Sequence, residues 1–179
     1  MRRFRARGIF LALFLFSAGC TSGSAPSVSP LTLEMLKNAE YHSMNFPRPV
    51  PLTEGQFVSP APNGDDPSDY VFSLSEWVAY GDIDGDSLPD AAVLLTSWLG
   101  GSGLFFELEA VRNDNGKPQN IASAFLGDRV LIHALFIRDG EIVLQMTVHD
   151  EDDPFCCPSK DVRWVFRLRG NDLMRTTQP

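Results

Sequence analysis

The chain has 179 residues, 44% of them hydrophobic, and a formal net charge of −8. That length allows one domain with a real core but not two large ones, and the apolar share excludes a disordered chain. The acidic balance excludes the basic footprint that nucleic-acid binding requires, so no nucleic-acid partner is expected.

Arg2, Arg3, Arg5 and Arg7 precede an eight-residue apolar core, Ile9 to Phe16, and Ser17-Ala18-Gly19 places small residues before Cys20. Eight apolar residues cannot span a bilayer, so residues 1–19 read as a signal peptide. Small residues ending in Gly-Cys resemble a bacterial lipobox. The resemblance implies that Cys20 is acylated, becomes the mature N-terminus and holds the protein on a membrane. Ser17 stands where such a box usually has Leu; ordinary cleavage with a free Cys20 is the other reading. Thr21 after the cysteine resembles lipoproteins sorted to an outer membrane. The implied location is therefore the cell envelope, facing the periplasm or the surface in a host with two membranes. Loss of the four arginines takes the 15 basic residues to 11 against 23 acidic ones, so the mature part carries −12. Such a chain is repelled by anionic headgroups apart from its anchor.

Residues 20–30, rich in Ser and Pro, read as a flexible tether, and residues 31–179 as a single β-rich domain. Leu31 to Glu40 reads as a short helix with Thr32 as N-cap and Leu33, Leu36 and Tyr41 on one face. Pro47 to Pro67 is turn-rich, with a short strand near Gln56–Val58; Asp65-Asp66 reads as a solvated turn. From Tyr70 onward nearly everything reads as strand. Tyr70–Tyr80 leads into an aspartate-rich loop and Ala91–Trp98 leads out. In Leu104–Arg112, Leu104, Phe106, Leu108 and Ala110 alternate with Glu107 and Glu109, the pattern of a strand with one wet face. Asn113-Asp114-Asn115-Gly116 and Asp139-Gly140 are hairpin signals, and Val162–Leu168 is a half-buried strand. Hairpin-length turns in series predict a mainly β, α+β fold: an antiparallel meander, strongly curled, with one short N-terminal helix.

The loop Gly81-Asp82-Ile83-Asp84-Gly85-Asp86-Ser87-Leu88-Pro89-Asp90 places carboxylates at positions 1, 3, 5 and 9, with the Leu88 carbonyl at position 7. Alternating oxygen ligands on a tight loop converge on one hard cation, and calcium takes six to eight of them. An EF-hand is excluded, because Ser87 and Val93 stand where Gly and the bidentate Glu belong. The pattern instead resembles the calcium loops of FG-GAP and related β-repeat proteins, although Ser87 replaces the usual Gly. Asp82, Asp84, Asp86, Leu88 and Asp90 are therefore the candidate calcium ligands. The competing reading is an acidic turn without metal. A single copy of the loop excludes a repeat propeller.

Several segments taken together, GDIDGDSLPDAAVLL, GGSGLFFELEAV, ASAFLGDRV and DDPFCCPS, resemble an uncharacterised family of bacterial lipoproteins with GDxxGDGxxDAAVxL, GGSG, LGDRV and DPxCCP in that order. The resemblance implies no activity.

Adjacent Cys156 and Cys157 lie between Pro154 and Pro158. They close a vicinal disulfide in an oxidising compartment or remain two buried thiols; on either reading they are expected to hold Phe155 against the core. The missing spacer argues against a catalytic dithiol. Ser102 in Gly-Gly-Ser-Gly lacks the last glycine of a nucleophile elbow, and no histidine pairs with it by spacing. An enzyme is thus not the favoured reading. The sequence favours a binding module for an unidentified protein or glycan partner. A structural envelope protein is the alternative, and a hydrolase with a concealed site comes third.

Overall fold

The computed structural model describes residues 29–61 and 69–176. The leader, Cys20, most of the tether and Asp65-Asp66 lie outside those residues. Helix α1 (Leu33–Lys37) starts where Thr32 accepts a hydrogen bond from the Met35 amide at 3.3 Å, an N-cap that satisfies one orphan donor. It is one turn long because its buried face is small. Leu36 is fully buried, but Leu33 is 41% exposed and so does not share the expected inner face. The short pair β1 (Glu40–Tyr41) and β2 (Val50–Pro51) follows.

Two larger antiparallel sheets complete the fold. Sheet I runs β3 (Gln56–Pro60), β4 (Asp69–Gly81), β5 (Asp90–Trp98), β6 (Phe105–Asp114) and β7 (Lys117–Asp128), each strand pairing with the next. Sheet II continues with β8 (Leu131–Arg138), β9 (Glu141–Val148), β10 (Lys160–Arg169) and β11 (Asp172–Thr176), again in sequence order. The expected meander is thus present as two meanders, and one sheet is strongly curled. Register shifts in β4, β7 and β8 supply bends of the kind that inserted residues produce. The hairpin signals are met by backbone that needs positive φ: Asn115 and Gly116 sit at 53° and 87°, Asp139 and Gly140 at 52° and 73°.

Three layers result. Ala92, Leu94, Leu108 and Ala110 of sheet I pack on Ile142, Leu144, Met146 and Phe166 of sheet II. The opposite face of sheet I, with Ala91, Val93, Leu95 and Val111, is covered by Leu31, Leu36, Tyr41, Phe46, Val50 and Leu52 of the N-terminal segment. Strand β5 is therefore buried on both faces, which explains why Ala91-Ala92-Val93-Leu94-Leu95 is uninterruptedly apolar and does not alternate. The same cover accounts for a departure from expectation in β6. Its Glu107 and Glu109 do not face water but are 1% and 0% exposed.

Candidate metal centre

The aspartate loop joins β4 to β5 and is bound to the interlayer core by one residue. Ile83 is 5% exposed and packs among the interlayer side chains. Because Asp82 and Asp84 flank it, burying Ile83 leaves these two carboxylates on the open side of the loop. Gly85 at φ 89° and Ser87 at φ 70° turn the chain back, and the carboxylates brace the turn. Asp82 accepts the Gly85 amide on Oδ1 at 2.7 Å and the Ser87 amide on Oδ2 at 3.0 Å. Asp84 accepts the Asp86 amide at 3.1 Å, and Asp86 accepts the Leu88 amide at 2.7 Å. These are the local side-chain turns that aspartates favour.

One ligand atom from each of Asp82, Asp84 and Asp86 lies within 4.8 Å of the others, so the three form a group able to hold a metal ion. Carboxylate oxygens keep lone pairs beyond the one each amide uses. None of the ion pairs among the described residues involves these three aspartates, so their mutual repulsion is not relieved by a side-chain cation. Among the described residues no other cluster of three such ligands occurs.

Asp90, the fourth predicted carboxylate, is placed apart from this group. It is fully buried at the head of β5, where Oδ2 accepts the Ile83 amide and Oδ1 the Asn113 amide, each at 2.9 Å. It joins the loop, β5 and β6 into one unit behind the three converging aspartates. Asn113 extends the brace: its side chain donates to the Pro89 and Ser29 carbonyls and accepts from the Gly116 amide. Nothing in the sequence marked Asn113 beyond its place in a turn signal.

Clefts of about 500 Å³ open on either side of the loop. One lies between Asp84, Arg112, Gln119 and Asn171, the other between Asp82, Ile137 and Asp139. Gly81 sets the second wall: a Cβ there would meet Ile137 Cγ2 at 2.7 Å, so the backbone lies directly on sheet II.

The remaining candidates lie away from this centre. Cys156 and Cys157 are joined as a vicinal disulfide. Both are exposed, and Phe155 is 89% exposed, so the pair does not hold that ring against the core. The neighbouring turn is instead closed by polar contacts. Asp153 accepts from the Asp150 and Ser159 amides at 2.8 Å, and Arg129 donates to the Phe155 and Ser102 carbonyls. The bond to Ser102 ties the Gly-Gly-Ser-Gly turn to the loop after β9 by its backbone. His133 pairs with Thr147 at 2.7 Å, in keeping with a satisfied face histidine. No described helix is long and apolar enough to cross a membrane. The chain matches no protein-family model, no curated protein and no solved structure.

Proposed function

We propose that this protein is a lipid-anchored extracytoplasmic binding module whose Asp82–Asp90 loop takes one calcium ion. The convergence of Asp82, Asp84 and Asp86 carries the metal part of this reading. An all-oxygen set on a turn-rich loop suits a hard cation that tolerates irregular geometry, which favours calcium over zinc or magnesium. The Leu88 carbonyl completes the set, and Asp90 serves it by fixing both ends of the loop. The lipid anchor at Cys20 rests on the leader sequence. The cleft between Asp84, Arg112, Gln119 and Asn171 offers an unidentified protein or glycan partner a polar surface beside the cation. A purely structural cation is the second reading, favoured by the way Asp90 ties the loop to β5 and β6.

Calorimetric titration and thermal melts with and without EGTA test the cation. Extracytoplasmic calcium modules bind in the range of about 10⁻⁴–10⁻³ M, and that range is expected here. Asp84→Ala should abolish the response. Ser87→Gly should strengthen it and stabilise the apo fold by about 1 kcal/mol, because a residue with a Cβ is strained at φ 70°. The absence of both heat and a melting shift at millimolar calcium would overturn the assignment. For the anchor, mass spectrometry of membrane-extracted protein should find a chain starting at Cys20 with added acyl mass; a soluble form starting elsewhere rejects it.

A further inference from the structure

Under the N-terminal segment, sheet I carries two carboxyl groups with no counter-charge. Glu107 and Glu109 alternate along β6 and so share the face that also presents Val111. Their neighbours across the sheet are Leu95 and Phe125 for Glu107, and Val93 and Ser123 for Glu109, none of them ionisable. From the segment above, Tyr41 is the titratable side chain that feels Glu109, and Tyr80 of β4 bears on Tyr41 in turn. His42 is exposed and meets the sheet through its backbone. None of the ion pairs among the described residues involves either glutamate.

Hydrogen bonding covers only part of the pair. Glu109 Oε2 accepts from the Asn120 amide at 2.9 Å and is paired with the Ser123 oxygen; where the single Ser123 proton goes to the His42 carbonyl, it is the Glu109 carboxyl that donates to Ser123. Glu109 Oε1 and both oxygens of Glu107 have no hydrogen-bond partner. The Ser43 hydroxyl and the Met44 and Asn45 amides favour the Glu107 anion from nearby but fall short of hydrogen-bond geometry. Two full negative charges in this place would be unsolvated, unpaired and mutually repelling. The polar groups that surround the glutamates also clamp the segment. The His42 amide donates to Asn120 Oδ1 at 2.9 Å, Ser123 donates to the His42 carbonyl at 2.9 Å, and Asn45 donates to Ser97 at 3.3 Å.

We propose that Glu107 and Glu109 retain protons in this place and act as a latch that holds residues 40–46 on sheet I, released when rising pH removes those protons to solvent. Burial pushes both carboxyls above the ordinary glutamate range, Glu109 the further, with the charge of Glu107 adding to its shift. Groups raised in the folded state contribute stability that is complete below the unfolded glutamate pKa and is lost as pH climbs through the folded value. The latch is therefore closed in acid and loosens toward neutral and alkaline pH. The two carboxyls titrate as a pair, in two steps that belong to neither alone.

Carbon-13 NMR of glutamate carboxyls in the full domain reads the pair directly. One step should lie well above the ordinary glutamate range; titration of every glutamate near its usual value overturns the proposal. Thermal melts from pH 4 to 9 should show the wild type losing about 3–5 °C for each unit of elevation, whereas Glu109→Gln and the double variant with Glu107→Gln, which cannot ionise, should lose far less. At pH 8, amide exchange over residues 40–46 should be at least tenfold faster in the wild type than in the double variant, and equal at pH 5. Equal exchange at both values overturns the latch. So does a melting loss on EDTA treatment that Glu109→Gln abolishes, since the pair would then hold a metal ion.

Discussion

Replacing Asp90 with alanine is expected to lower the melting temperature by about 10 °C. The side chain is fully buried, and its two oxygens are the acceptors for the Ile83 and Asn113 amides. Truncation leaves both amides without a partner away from water, at about 1–3 kcal/mol each. For a domain of this size each kcal/mol is worth about 2–4 °C. Asp90→Asn should recover only part of the loss, because one terminal atom becomes a donor and must face a donor. The calcium response should weaken in both variants, since Ile83 no longer fixes the loop on which Asp82 and Asp84 stand. A loss under about 2 °C in Asp90→Ala would show that water takes over the acceptor role.

The second large effect is expected at Gly81. Its conformation is not what demands glycine; its neighbour is. A Cβ would lie 2.7 Å from Ile137 Cγ2 and 2.9 Å from Ile137 Cβ, with no flexible chain end to yield. Gly81→Ala therefore forces sheet I and sheet II apart beside the aspartate loop, an overpacking cost of about 1–3 kcal/mol. Ile137→Ala alone creates a cavity, yet the double variant should be more stable than the sum of the two singles predicts, because each change relieves the other. Strict additivity in denaturant melts would refute the contact. Calcium affinity should fall in Gly81→Ala and recover in the double variant if the loop is positioned by this wall.

How far the sequence discloses the fold differs from element to element. The strands around the hairpin signals were legible because Asn115-Gly116 and Asp139-Gly140 carry their own backbone requirement, a positive φ that few residues accept. The aspartate loop was legible for a similar reason: alternate carboxylates on a turn have few other uses. The role of Asp90 was not legible, since position 9 of the loop and the first residue of β5 are one residue, and only the structure shows its oxygens directed at backbone amides. The burial of Glu107 and Glu109 was not legible either. The alternation Phe106-Glu107-Leu108-Glu109 signals a wet face only when nothing else covers that face, and here the segment from Leu31 to Leu52 does. The signal available was indirect: Leu31, Leu36, Tyr41, Phe46, Val50 and Leu52 form too large an apolar set for a one-turn helix to bury by itself. At Cys156-Cys157 the sequence left ring and thiols open, and the exposed position of Phe155 is set by the polar closure of the turn, which spacing does not encode.

The cover over sheet I also has a consequence in time. Every neighbour in the two large sheets is the next strand along the chain, so each hairpin can close as soon as it is made. The N-terminal segment is different. His42 is clamped by Asn120 and Ser123, 78 and 81 residues further on, and Asn113 reaches Ser29 across 84. A chain emerging from its N-terminus must therefore carry Leu36, Tyr41 and Phe46 uncovered until β7 has emerged. Throughout that interval they are open to chaperones, and to one another on neighbouring chains. Docking of this segment is the step that ends the exposure.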